Sequence, residues 1–392
     1  MLYVSGFDPQ GAGKYHRIYT QEAKKQCEVS GHRIEVGKRT KQSPDRDAWQ
    51  IEAQIEGQSC VTDYQFLRWD HIVREHWNAS HWHFMYIALY ANWLLFKQGV
   101  LWRLFKMSRP SFGVCFGPAV VVSGILLAAL GLIALLLYIV SSQSGAAWIL
   151  ASSGVISVAL WGLWRLSHHA EKAWYMGWVM RSYWFTVKQA KRQTPSLDTQ
   201  LQAHAEYLIH ALRNPAYDEV LVIGHSSGAM VATSLVARAC KTAPESMADQ
   251  RLHLMTLGQC FPILSFPAHA HWFRAEIAMV AQTLGERWVD ISAPSDHCCA
   301  PLVNPMQAVR ALGTDEHCTS LDDSLGAINP KILSPQFSKL FAAEEYAQLK
   351  KDLFEMHFQY FKASRLPGWY DFCNNRRISA FIRACCRAEV SA

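Results

Sequence analysis

The sequence predicts an α/β fold, a mostly parallel sheet flanked by helices and interrupted by a two-helix transmembrane hairpin. Three observations predict it. Strand-like and helix-like segments alternate on both sides of one long apolar stretch. That stretch, 55 residues between Arg109 and Arg165, contains no Asp, Glu, Lys, Arg or His. Downstream, a β-branched run feeds a Gly-x-Ser-x-Gly turn and then a helix of small residues.

Composition sets the frame. The chain has 392 residues, 50% hydrophobic and 18% charged. Soluble domains carry roughly 25% charged residues, so the deficit argues against disorder and for a buried or membrane-facing excess. Ordinary numbers of Gly and Pro, 22 and 15, exclude collagen-like and low-complexity chains. The mean hydropathy of −0.02 averages an apolar segment with a polar remainder. Eleven cysteines, an odd number with no Cys-x-x-Cys, read as reduced and mostly buried thiols of a cytosolic domain. His297-Cys298 and His317-Cys318 keep a metal reading open, but no metal is assigned.

Met1 to Gly6 lacks the basic and apolar regions of a secretory signal and reads as a strand, Leu2 to Phe7, followed by a Gly-rich turn and a helix from about Tyr15 to Cys27. His32 to Lys38, Trp49 to Ile55 and Cys60 to Leu67 carry strand patterns. Phe84 to Phe96 is apolar but too short to span a bilayer, and reads as part of an interfacial helix.

Val114 to Val140 and Ala146 to Trp164 then each have the length of a membrane span, about 20 residues, joined by the polar turn Ser141 to Gly145. Lys97, Arg103, Lys106 and Arg109 precede them, and Arg165, Lys172, Arg181, Lys188, Lys191 and Arg192 follow, whereas the turn has no cation. The positive-inside rule predicts that both flanks, hence both termini and the sheet-forming remainder of the chain, lie on the cytoplasmic side of a plasma-type membrane. Ten of the 15 tryptophans lie between Trp77 and Trp184, as expected of a membrane-interface belt. The net charge of +6 then reads as attraction to an anionic inner leaflet, with no case for nucleic acid. The predicted organisation is residues 1–110 as the first part of one domain with the interfacial helix, 111–164 as the hairpin, and 165–392 as the second part. A helix from about Arg165 to Arg192 is expected after the spans.

A further helix starts near Ser196 and Asp198 and ends at Arg213. Glu219 to Ile223 follows as a strand buried on both faces, and runs into Gly224-His225-Ser226-Ser227-Gly228 and the helix from Ala229. The spacing has a chemical reason. A sharp turn holds the serine hydroxyl out at the sheet's end, small residues at 224 and 228 avoid clashes, and the helix behind aims N–H groups at a developing oxyanion.

On these residues the chain resembles the α/β-hydrolase superfamily, serine hydrolases of the esterase/lipase type, with residues 70–195 unaccounted for. The resemblance implies the order Ser, acid, His. After the strands Leu252 to Leu257 and Arg287 to Ile291, with a helix near Trp272 to Leu284 between them, Asp296 takes the acid's place and Asp290 is the alternative. His357, after a helix from Glu344 to Met356, is the expected base and His317 the alternative; His297 adjoins Asp296 too closely to reach Ser226. Ser227 N–H and Phe7 N–H, in the Ser5-Gly6-Phe7 turn, are the expected oxyanion donors. Gly11 to Lys14 fails the phosphate-loop spacing, and His16 and Arg17 are expected to pair with Asp8.

The implied activity is cleavage of a carboxylic ester, a small molecule or a lipid drawn from the bilayer, through an acyl-enzyme without a cofactor. An acyltransferase using the same triad and a non-catalytic membrane scaffold are the alternatives. Ser364 to Ala392, rich in Arg and aromatic residues, is read either as a membrane contact or as a solvated helix. The sequence does not fix the oligomeric state.

Overall fold

A computed structural model describes residues 1–55, 57–142, 145–247, 250–313 and 330–373 of the chain. His317 and residues 374–392 therefore lie outside the described residues, as do Asp315, Asp322 and Asp323.

The strands are β1 (Leu2–Val4), β2 (Arg33–Val36), β3 (Thr40–Ser43), β4 (Arg46–Ile55), β5 (Gln58–Leu67), β6 (Val220–His225), β7 (Leu252–Leu257), β8 (Trp288–Ile291) and β9 (Lys331–Leu333). They form one mixed sheet in the order β2-β4-β5-β1-β6-β7-β8-β9, with β3 paired to β4. From β5 to β9 every pairing is parallel, and the β2–β4, β3–β4 and β4–β5 pairings are antiparallel. The parallel strands β1, β6, β7 and β8 are buried at every residue, which explains their unbroken apolar sequences. β4 alternates in burial and its sequence alternates with it.

α-Helices follow or separate the strands along the chain. They include α1 (Ala12–Ser30), α2 (Asp70–His76), α3 (His81–Lys97), α4 (Val100–Met107), α5 (Arg109–Ser142), α6 (Ala146–Ala173), α7 (Met176–Ala190), α8 (Pro195–Arg213), α9 (Ser227–Thr242), α10 (Pro244–Met247), α11 (Phe261–Ser265), α12 (His271–Leu284), α13 (Met306–Leu312), α14 (Ala343–Leu349) and α15 (Leu353–Phe358). The chain divides into a sheet-bearing unit, residues 1–76 and 186–392, and a helical unit, residues 77–185. The sheet-bearing unit's core lies around Tyr3, Tyr15, Tyr64, Phe66, Ile223, Met255, Val289 and Tyr360, with Trp49 stacked on Tyr64 at 4.3 Å between ring centroids.

The helical unit comprises α3 to α6 and most of α7, with α5 packed on α3, α4 and α6. α5 and α6 are each long and apolar enough to cross a membrane, with mean hydropathies of 2.9 and 1.7 over their most apolar windows. Only 6% of either window is buried, which distinguishes them from the core helices of a water-soluble fold. The buried residues of α5, Ser111, Cys115, Pro118, Ala119 and Val122, fall in its first half. Beyond them Leu126, Leu127, Leu130, Ile133, Leu137 and Val140 are exposed.

Two expected helices are divided. The segment from Glu344 to Met356 breaks because Asp352 caps a new helix, accepting from the N–H groups of Phe354 and Glu355 at 2.9 Å each. The segment from Arg165 to Arg192 breaks at Tyr175, whose φ is +54°; α6 runs on to Ala173 and α7 starts afresh at Met176.

Candidate active site

The crossover from β6 to α9 holds Ser226. Its φ of +57° and ψ of −129° form a conformation strained for a residue with a Cβ. Ser226 is partly exposed while its neighbours from Val220 to Ala237 are buried. The turn is tight enough to require glycine at 224 and 228. A Cβ on Gly224 would lie 2.5 Å from the Gly228 carbonyl oxygen, and one on Gly228 would strike the Ser5 carbonyl. Gly6, in the loop after β1, comes so close that a Cβ there would sit 3.1 Å from the Ser226 Cβ. The Ser226 N–H donates to the Leu257 carbonyl at 2.9 Å, tying the turn to the end of β7.

Asp296 and His357 meet although 61 residues apart, with His357 Nδ1 at 2.8 Å from Asp296 Oδ2. Asp296 is fully buried and accepts two further hydrogen bonds. The Tyr360 hydroxyl donates to Oδ2 at 3.1 Å and the Cys298 N–H to Oδ1 at 3.0 Å. The same Tyr360 oxygen accepts the Ala293 N–H at 2.9 Å, so it links the loop after β8 to the turn after α15. Burial, with the nearby Cys299 and Asp296, holds the Tyr360 phenol well above its ordinary range and keeps it a donor.

His225, the residue before Ser226, positions His357 from the other side. Its Nε2–H donates to the His357 carbonyl at 2.9 Å, and the two rings lie 4.6 Å apart. Burial, then the adjacent His357, push the His225 pKa well below the usual histidine value, so this ring stays neutral.

Asp290 points elsewhere. Its Oδ1 accepts the Thr256 hydroxyl at 2.6 Å and its Oδ2 faces the Ser292 hydroxyl at 3.5 Å, so it braces β8 against β7. Burial raises its pKa to about 7.

The Phe7 N–H and Ser227 are brought together, but through the Ser227 side chain: Phe7 N–H donates to Ser227 Oγ at 2.8 Å. The expected backbone donor at Phe7 is thus engaged by a hydroxyl whose own proton remains available for donation. Asp8 is paired differently from expectation. Lys14 Nζ and the Tyr15 hydroxyl reach it at 2.7 and 3.2 Å, whereas His16 binds the Gly37 carbonyl. The first turn of α1 points Lys14 and Tyr15 back towards Asp8. Lys14 also lies over the Phe358 ring, 4.7 Å from its centroid, directly after His357.

Sequence reasoning missed Tyr360, His225, Gly6 and Cys260. Each acts through a contact distant in sequence; the His225–Tyr360 aromatic cluster alone left a trace, as the run His357-Phe358-Gln359-Tyr360-Phe361. Cys260 lies within hydrogen-bonding reach of the Ser226 hydroxyl, and burial pushes its thiol up to about 12, leaving it a poor nucleophile beside the serine. Asp296, Cys298 and His357 also offer ligand atoms within 4.8 Å of one another, a spacing able to hold a metal ion. The described cysteines are free thiols.

The chain matches no protein-family model, no curated protein and no solved structure.

Proposed function

We propose that this protein is a membrane-anchored serine hydrolase of α/β-hydrolase architecture that cleaves a carboxylic ester through Ser226, His357 and Asp296. One observation carries the reading: the Asp296–His357 pair, 2.8 Å apart, is fixed beside a serine in a strained strand–turn–helix junction. A carboxylate on Nδ1 holds imidazole in the tautomer whose Nε2 can take a serine proton, and stabilises the imidazolium that results. The partners follow in the order Ser, acid, His, and the loop leaving β1 lies against the elbow, both as in α/β-hydrolases.

In the proposed cycle Ser226 Oγ attacks the ester carbonyl while its proton passes to His357 Nε2. The imidazolium protonates the leaving alcohol as the tetrahedral intermediate collapses. Water then attacks the acyl-enzyme with His357 as base, and the acid and free serine are released. The oxyanion would be held by the Ser227 N–H, assisted by the Ser227 hydroxyl that Phe7 orients.

The membrane part of the reading rests on α5 and α6, whose most apolar stretches are almost entirely exposed. Lysines and arginines stand on tryptophans at the ends of the apolar segment, Lys97 on Trp93, Lys106 on Trp102 and Arg165 on Trp161, at 5.1 to 5.7 Å from the ring centroids. Such pairs suit the headgroup layer, where a ring meets both hydrocarbon and charge. The sheet-bearing unit is assigned to the cytoplasmic side, with an ester of the bilayer or of the adjoining solution as substrate.

Labelling with a fluorophosphonate probe in membranes tests the chemistry. Wild-type protein should become covalently labelled, and Ser226→Ala should not. Equal labelling of the two, or none of the wild type, rejects the proposal.

A further inference from the structure

A second polar constellation lies in the helical unit, away from any role in the proposed ester chemistry. His81, the first residue of α3, is buried against the last turns of α6. Its Nδ1 lies 2.5 Å from Glu171 Oε2 and its Nε2 2.5 Å from Ser167 Oγ. The His168 ring stacks on it at 3.8 Å between centroids. His168 and Glu171 are three residues apart and therefore share a helix face. One donor atom from each of His81, His168 and Glu171 lies within 4.8 Å of the others.

We propose that His81, His168 and Glu171 form a binding site for a divalent cation of the zinc type. The donor set, two imidazoles and one carboxylate, is that of three-ligand zinc sites with an open fourth position. Tetrahedral bonds of about 2.0–2.2 Å would set the donor atoms roughly 3.3 Å apart. The His81–Glu171 contact then has to open by less than about an ångström from its present 2.5 Å, as the metal replaces the proton between them.

The surroundings suit a metal independently of the donors. The nitrogen of His81 that would not bind the ion is held by Ser167, which fixes the ring. The second oxygen of Glu171 accepts from Arg181 Nη2 at 2.7 Å, which leaves Oε2 as a single donor; Arg181 Nε is itself anchored on the Asn78 carbonyl at 2.6 Å. Trp164 packs edge-on to both imidazoles, at 4.8 Å from His81 and 4.6 Å from His168, and Phe84 adds an apolar wall. His168 is the one ligand with partial exposure, so the open position lies on the solvent side. With Arg181 beside it the site carries net positive charge, which favours hydroxide or another anion as fourth ligand. The ion would clamp the start of α3 to the end of α6 within the helical unit.

The test uses the full chain in detergent micelles, stripped with a chelator and titrated with Zn²⁺, and with Co²⁺ for its visible spectrum. The expected result is one tightly bound equivalent with the absorption of a tetrahedral Co²⁺ centre. His168→Ala should weaken Zn²⁺ binding by at least about 100-fold, and Ser167→Ala, which removes only the group behind His81, by about 10- to 100-fold. His168→Ala leaves the buried His81–Glu171–Arg181 contacts in place, so its fold, followed by circular dichroism, stays intact. Cys298→Ala separates this site from the Asp296–Cys298–His357 group and should leave binding unchanged. The proposal is overturned if wild-type protein binds no Zn²⁺, if His168→Ala binds as wild type, or if Cys298→Ala abolishes binding. Loss of fluorophosphonate labelling at Ser226 would leave this result untouched.

Discussion

Ser226 occupies a backbone conformation that costs on the order of 1–3 kcal/mol for a residue bearing a side chain. Gly6, Gly224 and Gly228 pack closely around it. Replacing Ser226 by Gly removes that strain at the cost of some unfolded-state entropy. The net expectation is a stabilisation of about 1 kcal/mol, read as a rise in Tm, together with complete loss of fluorophosphonate labelling. A Tm lowered by this substitution would mean that the serine is not held under strain. Asp290 makes a different prediction at the same scale. In the folded chain burial holds its carboxyl protonated up to about pH 7, whereas unfolded it releases the proton near 3.8. Between those values the folded state binds more protons, so this residue lowers stability as pH rises from about 4 to 7, by at most about 4 kcal/mol. Asp290→Asn should flatten the fall of Tm across that window; an unchanged slope would refute the burial argument. Residue by residue, Ser226, Asp296 and His357 could be named as candidates because a local motif and the chain order of the superfamily it resembles point to them. Tyr360 and His225 were not, because their roles come from hydrogen bonds spanning 64 and 132 residues.

Elements repeat the contrast. The strands β4 to β8 and the helices α1, α8, α9 and α12 stand in the sequence as alternating or continuous apolar patterns, since packing on one or two faces selects those residues. β3 left no such mark: Thr40 to Ser43 is polar and largely exposed, and pairs with β4 only because the chain doubles back. The break at Asp352 was hidden for another reason, because helical pattern continues through it while the cap is set by backbone geometry. That cap sets the start of α15, and so the place of His357. Asp352→Ala should destabilise the protein by about 0.5–2 kcal/mol and reduce labelling of Ser226, while Lys351→Ala, one residue earlier, leaves both unchanged. In α5, Leu127 stands exposed in the middle of the apolar run. An Arg there costs about 2.5–3.5 kcal/mol at the centre of a bilayer and almost nothing in water. Leu127→Arg should therefore lower the fraction of α5 that inserts, read by glycosylation of an acceptor site placed in the turn after α5 in a membrane-insertion assay. Two such arginines, at Leu127 and Leu130, should lower it further, and insertion unchanged by the pair would mean that α5 is not a span.

At the scale of the whole molecule, the sheet itself constrains the membrane topology. β1 pairs in parallel with β5 on one side and β6 on the other, with Leu2 opposite Gln65 and Val222, and Tyr3 opposite Phe66 and Ile223. β1 and β5 precede the apolar helices and β6 follows them, so one sheet is built from both flanks. Strands joined by such hydrogen bonds cannot lie on opposite faces of a bilayer, because no backbone pairing of this kind survives a hydrocarbon layer between the partners. The number of crossings between residues 67 and 220 must then be even. Among the described residues two helices meet the length and hydropathy requirement there, and α3, at 17 residues with most of one face buried, remains within the helical unit. On the proposed membrane-spanning reading, the cations on both flanks and their absence from the turn favour placing both flanks on the cytoplasmic side. Single reporter cysteines at Thr40, Ser142 and Lys241 test parity and sign together when each variant is compared with its parent. A membrane-impermeant maleimide applied to intact cells should modify Ser142→Cys alone, and Thr40→Cys and Lys241→Cys only after the membrane is opened. Modification of Thr40→Cys and Lys241→Cys from opposite sides would be incompatible with the β1–β6 pairing. Protection of Ser142→Cys alone would keep the sheet and reverse the orientation.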